Sequence, residues 1–261
     1  MAQDLSIART FLDHVRQGAP EALLDSDAMT LASDGALRVA YAPFDHVAPE
    51  ARLVIVGITP GRVQAVNALR AVGTALRRGA GLDEALAVAK QTGSFSGPLR
   101  ANLVAMLDAI GASRHLGVAS AADLFTPGSG AVHFTSALRY PVFMKGANYN
   151  GTPNMLRTPI LRSMIEIYLR EEARLLPDAL WLPLGPKPEA ALRHLAGQGM
   201  LNPDRILGGM PHPSGANAER VAVFLGRKDP GVASKRTDPV RLLAAYHALT
   251  AQIGALAGAR A

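Results

Sequence analysis

The segment Arg52–Thr59 (RLVIVGIT) limits the possible folds of this chain more than any other stretch. It is a continuous, largely β-branched run closed by Gly57 and Pro60, the pattern of a strand buried on both faces. A strand with no polar face needs cover on each side, and helical spacing begins directly after it. Val63, Val66, Leu69 and Leu76 recur at that spacing, as do Leu99, Leu103, Leu107 and Ile110. Further strands are expected at Val132–Leu138, Ala179–Leu184 and Arg205–Met210, and helices at Pro159–Glu172, Lys187–Ala196 and Pro239–Leu256. Thr158 and Pro159 offer a cap and a first-turn proline for the first of these helices. The opening MAQDLSIARTFLDHV reads as an amphipathic helix with Ile7, Phe11 and Val15 on one face. Strands alternating with helices predict an α/β fold, a three-layer α/β/α sandwich on a mostly parallel central sheet. Residues 1–261 are read as a single domain, with an N-terminal and a C-terminal helix packed on it.

Composition narrows the class without naming a function. Hydrophobic residues make up 49% and charged residues 18%, the balance of a globular chain and not of a disordered one. There are no cysteines, which excludes disulfides, thiolate zinc sites and cysteine-ligated iron–sulfur clusters. The apolar runs are short and broken by Gly, Pro or Arg, and the N-terminus lacks a signal sequence, so a cytoplasmic protein with no membrane partner is expected. The net charge of +6 fits an anionic partner but does not say which one.

The two most unusual peptides come after predicted strands, where ligands of open α/β sheets bind. The first is Gly57-Ile58-Thr59-Pro60-Gly61, a tight turn whose amides can face a ligand. It is no P-loop, because no Lys-Ser/Thr comes after it. The second is Pro211-His212-Pro213-Ser214-Gly215-Ala216-Asn217, in which two prolines hold His212 in a stiff segment. Taken alone, each has an ordinary explanation: a strand-to-helix turn, and an exposed turn histidine with Ser214 and Asn217 capping the next helix.

Together the two peptides resemble the paired active-site motifs of the uracil-DNA glycosylase superfamily. GITPG is similar to the GINPG turn of its mismatch-specific branch, and HPSG to the HPSP turn of other branches. GSFSGPLRANLVAML (Gly93–Leu107) resembles the segment that places an aromatic ring against the flipped base. FTSALRYP (Phe134–Pro141) resembles the strand that carries a uracil-reading Asn, and ALWLPLGPKPEAAL (Ala179–Leu192) resembles the late strand, turn and helix. The match spans residues 38–226 and leaves the termini uncovered. Three positions depart from the family pattern. Thr59 stands where Asp or Asn handles water, and Ser136 where Asn reads the base. Gly215-Ala216 replaces a wedge side chain. Asn148, Asn150 or Asn154 in KGANYNGTPN is left to supply the missing amide.

The resemblance implies a DNA-repair glycosylase that rotates a nucleotide out of the stack, at a cost of roughly a few kcal/mol. Phe95 would stack on the extruded base, an interaction worth about 1–3 kcal/mol. His212 would donate to the base oxygen where negative charge develops, Gly57, Ile58, Pro60 and Gly61 would line the other side, and Thr59 would place water. The expected substrate is DNA containing uracil or another damaged base, and a nucleoid-associated monomer that uses no cofactor and no metal is expected. Neither motif contains a lysine, so monofunctional chemistry is expected. Ser214, Gly215, Ala216, Asn217, Arg62, Arg220 and Lys228 are the main candidates for DNA contact, with Arg139, Lys145, Arg227, Lys235 and Arg236 beside them. Two other functions compete: a catalytically weak superfamily member that binds lesions or abasic sites, and a nucleotide- or small-molecule-binding α/β protein with no role in repair.

Overall fold

The computed structural model describes residues 3–92, 98–126 and 128–258. Its centre is a parallel sheet of β3 (Leu53–Gly57), β4 (Val132–Ser136) and β7 (Leu180–Pro183), with β3 in the middle. Leu53 pairs with Val132 on one side and Leu180 on the other, and Gly57 lies level with Ser136. The run that reads as doubly buried is so: Val54 and Val56 enter one hydrophobic cluster, while Leu53 and Ile55 enter the other. Helices Ser6–Gln17, Arg62–Arg77, Leu82–Thr92 and Pro186–Gly197 pack on the first side. Pro98–Ala109, Ala218–Phe224 and Pro239–Gly258 pack on the second, giving the expected α/β/α layering.

A second sheet is not legible in the sequence. β1 (Thr30–Asp34), β2 (Leu37–Ala40), β5 (Val142–Met144) and β6 (Ala147–Asn148) form it, and all its pairings are antiparallel. These strands are only two to five residues long, and β2 finds β5 across most of the first half of the chain. Part of KGANYNGTPN, which resembles a polar loop, is therefore the β5–β6 hairpin.

Four other expectations need correcting. Arg205–Met210 is no strand: only Ile206 bridges Trp181, and the Gly209 amide donates to the Glu189 carboxylate instead of a ladder. Val63 is 73% exposed, because it opens its helix beside the turn and faces away from the core. The Thr158 hydroxyl bonds back to the Asn154 carbonyl and does not cap its helix. The helix expected at Pro159–Glu172 runs on to Leu175 and contains a π turn at Ile165–Leu169. Such a turn adds a residue to the repeat and re-phases the rest of the helix. The re-phased segment carries Glu171 and Glu172 onto Arg139. Among the described residues no helix is long and apolar enough to cross a membrane.

Candidate active site

The strand order reverses at β3, whose neighbours β4 and β7 both come later in the chain, and ligands of such sheets bind beyond the carboxyl ends at this reversal. A cavity of about 320 Å³ lies there. It sits at the small end of ligand pockets, with room for about one ring system. Gly57–Gly61, Ser136 and His212 all line it, so the fold brings the two sequence motifs to one place.

The turn is held from several directions. Ala137 and Leu138 donate to the carbonyls of Gly57 and Ile58, so the chain beyond β3 stays tied to the chain beyond β4. Gln64 accepts from the Gly61 amide at 3.0 Å, and Pro60 has no N–H. Ile58 and Thr59 are therefore the turn residues that keep backbone donors to offer a ligand. The Thr59 hydroxyl donates to the Tyr140 carbonyl at 3.0 Å and accepts from the Val142 amide at 3.1 Å. Its single proton is committed, which leaves one lone pair for a water molecule.

His212 is half-buried between buried Pro211 and Pro213. Its Nδ1 accepts from the Ser214 amide at 3.2 Å, which places the ring proton on Nε2. Burial lowers its pKa, so the ring is neutral at pH 7. Asn102, on the helix after the Gly-Ser-Phe segment, donates to the Pro213 carbonyl at 2.9 Å and braces this loop from below. In the sequence nothing marks Asn102 beyond its place in a helix.

Of the asparagines weighed for base reading, Asn148 lines the cavity mouth and accepts from the Arg62 amide at 3.0 Å. A methyl group built on Gly61 would lie 3.4 Å from its Nδ2, so the amide nitrogen faces the turn. Asn150 accepts from the Thr152 amide and Asn154 from the Leu156 amide, and neither lines the cavity. Phe95 lies outside the described residues.

The candidate DNA contacts are mostly engaged within the protein. Arg62 Nη1 donates to both Asp25 carboxylate oxygens, at 2.7 and 2.8 Å, and the guanidinium covers the Phe143 ring. Arg220 donates to Asn217 and to the Arg236 carbonyl, and Lys228 pairs with Glu219 at 2.6 Å. Asn217 also donates to Ser214, while Gly215 and Ala216 are exposed. Lys145, Arg227, Lys235 and Arg236 are exposed too. Arg139 is not a surface contact at all: it is 3% exposed and lines the cavity.

Arg139 belongs to a buried charge cluster that composition could not reveal. Its Nε donates to Glu172 at 2.9 Å, and its Nη2 donates to Glu171 and to the Tyr168 carbonyl, each at 3.0 Å. Lys90 donates to the Phe44 carbonyl at 2.9 Å and stands 3.9 Å from Glu172. His133 faces Glu172 at 3.4 Å and accepts from the Ala48 amide through Nδ1. Burial would raise the Glu172 pKa, yet Arg139, Lys90 and His133 outweigh it and hold the carboxyl well below its usual range. Burial lowers Lys90 to about 8, which leaves it mostly charged at pH 7.

Burial and the neighbouring Lys90 lower His133 from 6.5 to about 4. A depressed folded value gives stability that is complete above the unfolded pKa and is lost as pH falls through the folded one. The unfolding free energy from denaturant titrations should therefore fall between about pH 6.5 and 4, by on the order of 3 kcal/mol. His133→Gln should flatten that slope, and a slope unchanged in the variant would assign the acid sensitivity elsewhere.

The fold and site define an α/β protein with a compact ligand cavity at the carboxyl end of a parallel sheet. No family model matches the chain, and no solved structure matches it. A protein of Bacillus subtilis (strain 168) named "Uncharacterized protein YoxB" is 35% identical over 217 residues, which cover 80% of this chain and 85% of that one. The chain belongs to the YoxB family.

Proposed function

We propose that this protein is a monofunctional DNA glycosylase related to the uracil-DNA glycosylase superfamily, which hydrolyses the N-glycosidic bond of uracil or another deaminated base. The observation that carries the reading is the His212 ring. It is neutral and held by Ser214, and its Nε2–H is the proton available at a cavity that also contains the GITPG turn. As the glycosidic bond breaks, the base gains negative charge and the sugar positive charge. A preorganised donor at the base oxygen supplies about 2.7–4 kcal/mol of transition-state stabilisation at comparable sites. A neutral imidazole offers that bond without first having to lose a proton, as in other enzymes that keep histidine neutral as an electrophile. Water, held by the remaining Thr59 lone pair, then captures the sugar cation, and the proton it releases neutralises the departed base anion. Lys90 lines the cavity as a protonated donor, with its charge facing Glu172, and so does not act as a nucleophile.

A second reading, a lesion or abasic-site binder with weak turnover, is favoured by one observation. Among the described residues no Asp or Glu lines the cavity, and the Thr59 hydroxyl is already bonded on two sides. Threonine is no general base near neutral pH. A labelled oligonucleotide with one uracil separates the readings. Alkali-sensitive strand scission at that position is the expected result. Salt-sensitive binding without scission would select the lesion binder, and the absence of both would remove DNA from the account.

A further inference from the structure

On the reading that the cavity receives a flipped base, we propose that Arg139 makes it selective for bases with two ring carbonyls and no exocyclic amine, such as uracil and xanthine. The inference rests on the donors and acceptors that the cavity wall can offer. Arg139 is buried, and its Nε and Nη2 are used by Glu172, Glu171 and the Tyr168 carbonyl. Its Nη1 has no hydrogen-bond partner among the described residues, and it is not one of the fully enclosed unpaired atoms. It is the nitrogen left over for the cavity that Arg139 lines.

The neighbouring groups have the same polarity. Lys90 brings an ammonium, which has no acceptor capacity. Asn148 has committed its oxygen to the Arg62 amide, so Nδ2 is the end it can offer. His212 presents Nε2–H because Nδ1 is occupied. The Gln64 oxygen is taken by the Gly61 amide, and the Tyr149 hydroxyl donates to the Pro153 carbonyl. Among the side chains, the groups able to accept are hydroxyls, chiefly Ser136 and the buried, unpaired Thr135 Oγ1. The carboxylates of Glu171 and Glu172 lie behind the guanidinium and do not line the cavity.

A wall made of donors satisfies a ligand edge made of acceptors. An exocyclic amine, as in cytosine or adenine, would set N–H groups against the guanidinium and ammonium and leave donors unpaired on both sides. Sites built to hydrogen-bond a ligand group reject analogues that cannot complete the bonds. The same cations would oppose the negative charge that a departing dicarbonyl base acquires. Arg139 thus takes the reading role that Ser136, at the end of β4, has no amide to fill.

The test is ligand-observed NMR of the full chain with free uracil, xanthine, cytosine and adenine, on wild type and on Arg139→Lys and Arg139→Met. Uracil and xanthine should compete for one site and bind about tenfold to hundredfold more tightly than cytosine and adenine. Arg139→Lys keeps a cation opposite Glu172 but shortens the reach, and it should shrink that ratio even if Arg139→Met fails to fold. Equal binding of all four bases by wild type would overturn the inference. So would a Lys variant that weakens every base alike with the ratio intact, because that is the mark of a merely structural arginine. These outcomes leave base excision standing if the uracil oligonucleotide is cut. No bound base and no cut oligonucleotide would instead remove the underlying reading.

Discussion

His212→Ala should lower excision of uracil from an oligonucleotide by about 10²–10³-fold, the loss typical when one preorganised donor to a developing anion is removed. The fold should survive the change. Among the described residues the ring makes one hydrogen bond, from the Ser214 amide, and the backbone is held independently by buried Pro211 and Pro213 and by Asn102. Single-turnover rates are the right measurement, because they isolate bond cleavage from product release. DNA binding at equilibrium should change little, so a variant that loses binding and rate together would recast His212 as a DNA contact. The pH dependence gives a second check. Burial holds the His212 pKa below 6.5, so activity should persist through pH 6.5 and decline only at more acidic values. Protonation there puts a hydrogen on Nδ1 against the Ser214 N–H and breaks the bond that orients the ring. A profile that rises on acidification would mean that the imidazolium is the working form.

The largest expected loss of stability is at Glu172. This carboxylate is fully buried and faces Arg139, Lys90 and His133. Glu172→Ala leaves two buried cations without their main counter-ion, a change that costs about 3–5 kcal/mol at comparable sites. In a chain of this size that corresponds to a fall of roughly 6–20 °C in Tm. Replacing the pair together, as Arg139→Met with Glu172→Met, should cost less than the sum of the two removals, because Arg139 is no longer stranded and only Lys90 is left without the Glu172 carboxylate. Urea midpoints of Arg139→Met, Glu172→Met and the double close the cycle, and a double variant at the sum of the singles would show that the two side chains act independently.

The parts of the structure legible in the sequence are those made by local patterns. Leu53–Gly57 announces itself by unbroken hydrophobicity, and the strands at 132 and 180 do so with nearly correct bounds. The GITPG and HPSG turns stand out because Gly and Pro restrict the backbone in ways visible one residue at a time. Residues whose importance depends on distant partners are not legible. Arg139 reads as one more basic side chain until the re-phased helix brings Glu171 and Glu172 to it. Lys90 sits in an ordinary helix far from both motifs, and no periodicity says that its ammonium ends at the cavity. The antiparallel sheet is hidden for the same reason, since its strands are too short to show alternation and pair across long separations.

The hydroxyl of Thr59 is a seam that sews the last turn of the parallel sheet to the first residues of β5. The wall of the cavity and the antiparallel sheet are therefore one piece of material. A guest that presses on the turn pushes against a whole second sheet, which makes the cavity a fixed gauge and not a glove. On the proposed reading, bulk at the ring edge would be refused by geometry before any hydrogen bond is tried, so that size and polarity would act as two filters in series.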